Sequence, residues 1–129
     1  MSSQFDLIQI ADHEAVLYCS DKASGLRGYI AVHDTTLGPG LGGIRIKDYP
    51  SEEEALKDVL ELSRAMTYKS SVAGLDLGGA KSVIIVDSLA DKTPERLIAF
   101  AKRMNLLNGS YIAASDIGST ADDLNLMRK

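Results

Sequence analysis

Two lysines, Lys69 and Lys81, flank the glycine-containing segment at residues 74–79 and are the first candidates for chemistry. Lys69 lies at the end of a helical pattern. Lys81 comes directly before residues 82–86, an apolar run typical of a buried strand, so we expect its side chain where solvent meets the core. A partly desolvated ammonium releases its proton more readily than one in water and can act as a base near neutral pH. For either lysine taken alone, a solvated surface position is the ordinary alternative.

Three further residues could belong to the same site. Asp116 lies just past the short strand pattern of residues 111–114, where a carboxylate can exchange a proton with a ligand; a turn residue ahead of a helix gives the same pattern. Gly42 and Gly43 would let a ligand approach the backbone closely. Ligands of open α/β sheets bind beside the carboxyl ends of strands, so we expect this set and the two lysines to meet at strand ends. The set suits a substrate with an anionic end and an amine or carbonyl: one lysine pairs with the anion and the other acts as acid or base.

The glycines do not form a nucleotide-binding motif. Residues 38–43 (GPGLGG) match the dinucleotide pattern G-x-G-x-x-G, but its last glycine must open a helix, and residues 44–47 (IRIK) alternate like a strand. Residues 74–82 approach a phosphate-binding loop, but the spacing is wrong, and the segment follows a helix and leads into a strand. We expect the glycines to allow close approach of a small ligand or another strand, or to form a flexible turn.

Composition limits the function classes. The chain has 129 residues, enough for one domain, with 45% hydrophobic and 25% charged residues and a net charge of −4, so a nucleic-acid partner is not expected. Cys19 is the only cysteine, which suits a reducing compartment. His13 and His33 are not at metal-ligand spacing, and no metal site is expected. With no signal-peptide pattern and no long apolar run, we expect a cytoplasmic protein without a membrane partner.

Periodicity and capping residues predict the elements that must position these side chains. Residues 5–11 suggest a helical turn or a docking arm. The predicted strands cover residues 15–19, 26–33, 44–47, 82–86 and 111–114. Helices are predicted from Ser51 to about Ser70, from Thr93 to residue 108, and after a cap at Ser119 or Thr120. This order predicts an α/β fold: a mostly parallel sheet with an antiparallel hairpin at one edge and helices packed on it.

Four segments of the chain resemble a known family. They are residues 33–43, 66–69, 74–81 and 111–116, and they look like the N-terminal half of the Glu/Leu/Phe/Val amino-acid dehydrogenases, in particular the leucine and other branched-chain enzymes. The resemblance implies reversible, NAD-dependent oxidative deamination of an L-amino acid to a 2-oxo acid and ammonia by a homo-oligomer. It also implies that residues 1–129 form the substrate-binding and oligomerisation domain. A C-terminal Rossmann domain, which this chain lacks, would bind NAD, so the chain alone should not turn over.

The resemblance assigns roles to individual residues. Lys69 resembles the lysine that pairs with the substrate α-carboxylate, and Lys81 resembles the lysine that activates the water attacking the imino acid. Asp116 resembles the aspartate that moves protons to and from the substrate amine. The other residues that match substrate-binding positions are Leu41, Gly42, Gly43, Met66 and Ala114. A residue as small as Ala114 would leave room for a branched aliphatic side chain.

Two positions depart from the family pattern. Where the family usually has three glycines before the second lysine, this chain has Ala80 as the third residue, and its methyl group is expected to displace the base or shrink the pocket. Ser115 stands where glutamate is common in the leucine enzymes, so leucine, valine and phenylalanine remain open as substrates. An alternative function is a stand-alone assembly or amino-acid-sensing module that keeps the fold without catalysis.

Overall fold

The computed structural model describes residues 12–128 of the chain. The predicted turn or arm at residues 5–11 lies outside this range. Within it, no helix is long and apolar enough to cross a membrane. The strands are β1 (Ala15–Asp21), β2 (Leu26–Asp34), β3 (Gly40–Lys47), β4 (Gly78–Ile85) and β5 (Tyr111–Ser115). The α-helices are α1 (Glu52–Val72), α2 (Pro94–Met104) and α3 (Ala121–Met127), with short 3-10 turns at Leu89–Asp91 and Asn105–Leu107.

The five strands form one mixed sheet in the order β1-β2-β4-β3-β5. Strands β4, β3 and β5 run parallel, whereas β2 pairs antiparallel with both β1 and β4. The sheet therefore has a parallel part and an antiparallel hairpin at one edge, which confirms the predicted fold class. The chain crosses from β3 to β4 through α1, and then back past β3 to β5 through α2. Because these two crossovers run in opposite directions, right-handed connections put their helices on opposite faces.

Each face of the sheet has its own apolar core. The face under α1 packs Ala55, Leu56 and Val59 of the helix against residues of β1, β2 and β4. The opposite face packs α2 against residues from all five strands, and Phe100 of α2 is fully buried there. The core under α1 contains no residue of β3 or β5, so these two strands lie beyond the helix on that side.

The helices begin where their capping residues predict. The Ser51 hydroxyl accepts a hydrogen bond from Glu54 N–H at the start of α1. Thr93 caps α2, with Pro94 at its first position, and Thr120 caps α3 in a reciprocal pair with Asp123. These hydroxyls satisfy amide groups that have no partner inside the helix. The prediction that α2 runs to residue 108 is wrong at its end, because the last turn tightens into the 3-10 helix Asn105–Leu107.

Strands β3 and β4 begin four residues earlier than predicted, and the glycines expected in loops lie inside them. A side chain on Gly42 would overlap the Ala80 carbonyl oxygen, and one on Gly78 would overlap the Asp34 carbonyl oxygen. The missing side chains therefore let the neighbouring backbones come close enough to pair. Because β3 contains Gly40 to Gly43 and leads into more strand, the rejection of the dinucleotide motif is confirmed.

Candidate functional site

Lys81 and Asp116 form an ion pair on the α1 side of the sheet. Lys81 is in β4, and its side chain is only 8% exposed, yet its Nζ lies 2.9 Å from Asp116 Oδ2. Asp116 directly follows β5, and β3 runs between the two strands. The pair can form because Gly43 of β3 has no side chain: a Cβ there would lie 2.7 Å from the Asp116 Cβ and 3.4 Å from Lys81 Nζ. Gly43 is thus the floor over which the ammonium and the carboxylate meet.

Asp116 is held from two directions. Its Oδ2 also accepts a hydrogen bond from Arg45 Nε at 2.9 Å. Its backbone N–H donates to the Ser119 hydroxyl, which in turn donates to the Ile44 carbonyl of β3. Burial raises the pKa of the Asp116 carboxyl, but hydrogen bonds from Lys81 and Arg45 outweigh burial and hold that pKa below its ordinary value. Asp116 is therefore ionised at neutral pH.

Arg45 links this pair to α1. Its Nη1 lies 3.4 Å from Asp58 Oδ2, and the Tyr49 hydroxyl donates to the same carboxylate oxygen. Burial and the hydrogen bond to Asp58 raise the pKa of Tyr49, so its hydroxyl stays protonated. The sequence did not identify Arg45 as a site residue. The sequence feature that could have identified Arg45 is its position two residues after Gly43, because alternate residues of a strand lie on the same face of the sheet.

Lys69 and Met66 lie on the flank of α1 that faces β3. Asp58, Leu62, Met66 and Lys69 follow one another at spacings of four and three, so they share one helix face. Asp58 fixes the direction of that face, because it contacts Arg45 of β3. Lys69 is exposed and forms no ion pair with any residue in the range 12–128. Its ammonium is therefore available to an anionic ligand above β3.

The remaining predicted residues fall on both sides of the sheet. Ala114 is paired with Gly43 in the parallel register and is half-buried, so it belongs to the same face as Lys81. Leu41 lies two residues before Gly43 and shares that face as well. Gly42 is the exception: its missing side chain faces Ala80, on the other side of β3, and it serves the pairing of the strands.

The prediction that these residues meet at the ends of strands is wrong for Lys81 and Gly43. Lys81 and Gly43 lie within β4 and β3, and only Asp116 follows the end of a strand. The apolar core under α1 includes no residue of β3 or β5, and Ile112 of β5 is 41% exposed. The site therefore lies beside the apolar core under α1, with Gly43 and Lys81 buried and Asp116 partly exposed.

The methyl group of Ala80 points away from the site. Ala80 is fully buried in the core on the α2 side, together with Val32 and Ile44, whereas Lys81 projects to the α1 side. The expectation that this methyl displaces Lys81 or shrinks the pocket is therefore wrong. The Ala80 methyl group instead restricts position 40 to glycine, because a Cβ on Gly40 would lie 2.9 Å from the methyl carbon.

No group of three or more His, Cys, Asp or Glu side chains within residues 12–128 could hold a metal ion. The described residues also form no dinucleotide fold, since their glycine-rich segment is β3 and does not open a helix. What the site offers chemically is an ammonium paired with an ionised carboxylate, a bare strand backbone beside them, and a second, exposed ammonium.

Comparison with known proteins identifies one family and several relatives that match this chain. The family model described as Glu/Leu/Phe/Val dehydrogenase, dimerisation domain, matches residues 13–129. Leucine dehydrogenase of Geobacillus stearothermophilus is 52% identical over 123 residues, which are 95% of this chain and 34% of that protein. Phenylalanine dehydrogenase of Caldalkalibacillus thermarum is 52% identical over 115 residues, which are 89% of this chain and 31% of that protein.

A solved structure gives the same result. The crystal structure of L-tryptophan dehydrogenase from Nostoc punctiforme superimposes with a TM-score of 0.88 at 42% identity, covering 97% of this chain and 37% of that chain. This chain spans about a third of the length of the curated relatives it matches.

Proposed function

Because the chain belongs to the Glu/Leu/Phe/Val dehydrogenase family, we propose that it is the substrate-binding and oligomerisation domain of an NAD-dependent L-amino-acid dehydrogenase. The reaction is the reversible oxidative deamination of an L-amino acid to a 2-oxo acid and ammonia. Residues 1–129 supply the substrate site. A second domain of Rossmann type supplies the NAD site, since the described residues form none.

The proposed substrate is leucine or a similar branched-chain amino acid. Leucine dehydrogenases share 49% and 52% sequence identity with this chain, and a phenylalanine dehydrogenase shares 52%. Ala114 supports an aliphatic substrate, because its small side chain beside Gly43 leaves space above β3 and β5. Leu41 and Met66 would contact the substrate side chain from the strand and from α1.

Three side chains carry the proposed chemistry. Lys69 pairs with the substrate α-carboxylate, Lys81 activates the water that attacks the imino acid, and Asp116 exchanges protons with the substrate amine. The substrate lies over Gly43, whose bare backbone admits the Cα and its substituents. NAD accepts the hydride when bound.

The ion pair between Lys81 and Asp116 is the observation that carries this proposal. A lysine whose side chain is 8% exposed is costly to bury, and Asp116 is the partner that offsets the cost. The pair lies over a glycine floor in which any side chain would part the two groups. Structural stability alone would be served as well by an apolar residue in place of Lys81, so the arrangement favours a reaction site.

The proposed enzyme is a homo-oligomer of the cytoplasm. The matched family model is described as a dimerisation domain, and β1 is an edge strand in the sheet of residues 12–128. Cys19 is a free, buried thiol, which is compatible with a reducing compartment. Sedimentation of this chain as a dimer or larger species is the expected result, and a monomer at all concentrations would contradict the oligomer.

The test is turnover of L-leucine by the complete enzyme, followed as NADH formation, with NADP as the comparison. Lys81→Ala and Asp116→Asn should abolish turnover while circular dichroism shows an intact fold. Lys57→Ala, an exposed lysine on the outer side of α1, is the matched control and should keep the native rate. A Lys81→Ala enzyme that turns over at the native rate would remove Lys81 from the reaction. Turnover by the 129-residue chain alone would refute the need for a second domain.

The same assay separates the enzyme from the amino-acid-sensing module. A module needs to bind the amino acid but has no use for a base. Saturable binding of L-leucine to the complete protein, with no NADH or NADPH formed, would favour the module.

A further inference from the structure

We propose that Arg45 is a positioning residue for the reaction: it locks the carboxylate of Asp116 in the orientation that meets the substrate amine. This inference rests on the proposed function of Asp116. Its own evidence is a chain of contacts that runs from α1 to the end of β5 and has Arg45 at its centre.

The geometry at Asp116 is one-sided. Arg45 Nε and Lys81 Nζ each lie 2.9 Å from the same atom, Asp116 Oδ2. Two cations on Oδ2, together with the backbone N–H of Ile117 on the carboxylate, fix the plane of the Asp116 carboxylate. With Lys81 alone, the carboxylate could rotate about its Cβ–Cγ bond and offer the two oxygens in turn. Arg45 prevents this rotation, because its Nε also binds Oδ2.

Arg45 is itself fixed, which a positioning residue requires. Its side chain is 17% exposed, and its guanidinium contacts Asp116 through Nε and Asp58 through Nη1. Asp58 is held in turn by the Tyr49 hydroxyl. The planar guanidinium has donors at fixed angles, so a group anchored on α1 at one end determines where the other end points. A lysine has no such geometry.

The charges around Asp116 favour the same role. The charged and titratable groups that face it are Lys81 from β4 and Arg45 from β3, with Asp58 of α1 behind Arg45 and Tyr111 on the opposite side of the sheet. Burial raises the pKa of Asp116, and the hydrogen bonds from Lys81 and Arg45 lower it by more. Arg45 thus helps keep Asp116 in the form that accepts a proton from the amine.

The experiment compares Arg45→Gln, which removes the charge, with Arg45→Lys, which keeps the charge without the fork. The first readout is the ¹³Cγ NMR titration of Asp116 in the 129-residue chain, which needs no turnover. The midpoint should move to higher pH in Arg45→Gln and move back toward the native position in Arg45→Lys. An unchanged midpoint in a folded Arg45→Gln chain overturns the proposal. If Arg45→Gln does not fold, Arg45→Lys provides the test, and a native titration with native kinetics overturns it.

The second readout is the pH profile of kcat for L-leucine in the complete enzyme. In Arg45→Gln the acidic limb should move to higher pH, and kcat at neutral pH should fall by about 10-fold, as expected for one hydrogen bond to a charged group. KM should change less than kcat, because Arg45 does not touch the substrate. Arg27→Gln, an exposed arginine outside the site, should leave both the profile and the rate unchanged. A fall in rate with an unmoved acidic limb would make the role purely structural and overturn the proposal.

The two readouts also separate this inference from the proposed function. If Lys81→Ala leaves turnover intact, the proposed function fails, while the NMR titration still reports whether Arg45 holds Asp116. If the enzyme turns over L-leucine and the titration of Asp116 does not respond to Arg45→Gln, the proposed function stands and the role of Arg45 fails.

Discussion

Replacing Gly43 with alanine inserts one methyl group between the two charged groups of the site. The new Cβ would lie 2.7 Å from the Asp116 Cβ and 3.0 Å from the Ser115 carbonyl oxygen. Non-bonded carbons rest at about 3.5–4.0 Å, so Asp116 must move by about 0.8 Å or more. Lys81 Nζ, 3.4 Å from the new atom, would be at van der Waals contact with it.

The expected loss follows from this displacement. A misplacement of about 1 Å in a reacting group costs about 100-fold in rate, which is about 2.7 kcal/mol of activation free energy. Overpacking of this kind also lowers the free energy of unfolding by about 1–3 kcal/mol. We therefore expect the complete enzyme with Gly43→Ala to remain folded and to turn over L-leucine about 100-fold more slowly.

Gly109→Ala is the matched control for Gly43→Ala. Gly109 has φ +83°, and a Cβ there would have no atom of a residue beyond its chain neighbours within 4 Å, so alanine would strain the backbone without a steric clash. Left-handed backbone costs a non-glycine residue about 1–2 kcal/mol, so the control should lose similar stability in urea unfolding and keep its rate. If the Gly43→Ala enzyme turned over L-leucine within about threefold of the native rate, the activation free energy would have changed by only about 0.65 kcal/mol. That result would show that the reaction does not require a bare backbone at position 43.

Three further predictions concern stability and reactivity. Phe100→Ala should lower the free energy of unfolding by about 3–5 kcal/mol, because Phe100 is fully buried, while the exposed Ile98→Ala on the same helix should change it by about 0.5 kcal/mol or less; equal urea midpoints would contradict this. Burial raises the pKa of Asp116 and Asp123, but hydrogen bonds from lysine lower it by more, so both folded-state pKa values lie below the ordinary value of 3.8. Both carboxylates therefore stabilise the fold at pH values above 3.8, and this stability is lost as the pH falls through their folded-state pKa values. The urea midpoint should thus fall on acidification below pH 3.8, and Asp123→Asn should reduce the fall; an unchanged pH dependence would count against it. Burial raises the pKa of Cys19 to about 12, so Ellman's reagent should modify this thiol only as fast as the chain unfolds, and immediate labelling of the folded chain would exclude that burial.

Local chemistry explains which elements the sequence predicted well. Ser51 and Thr93 satisfy the free amides of their own helices, so each helix start can be read from a few adjacent residues. The starts of β3 and β4 could not be read in this way. Glycine is a poor strand former by itself. Gly40 and Gly78 extend the strands because the Ala80 methyl group lies too close to Gly40, and the Asp34 carbonyl too close to Gly78, for a side chain.

The site shows the same division. Lys81 and Asp116 were identified from sequence because charged residues beside apolar strands are conspicuous, and the family resemblance assigned their roles. Arg45 was missed because its partner, Asp116, is 71 residues away and two paired strands bring them together. Its alternation with Ile44 and Ile46 gave it the pattern of an ordinary strand residue. Lys69 was expected at a strand end, and only the contact from Asp58 to Arg45 shows which way its helix flank faces.

We propose that an L-amino acid or its 2-oxo acid binds beside Gly43, in contact with the ion pair of Lys81 and Asp116. The most direct measurement is a ¹H–¹⁵N NMR titration of the 129-residue chain with the 2-oxo acid of leucine. We predict saturable shifts at the backbone amides of Gly43, Lys81 and Asp116, and none at Gly109. The shifts should be lost in Lys69→Ala, which removes the proposed carboxylate partner. Shifts that saturate on another face of the sheet, or no shifts with millimolar ligand, would contradict the claim.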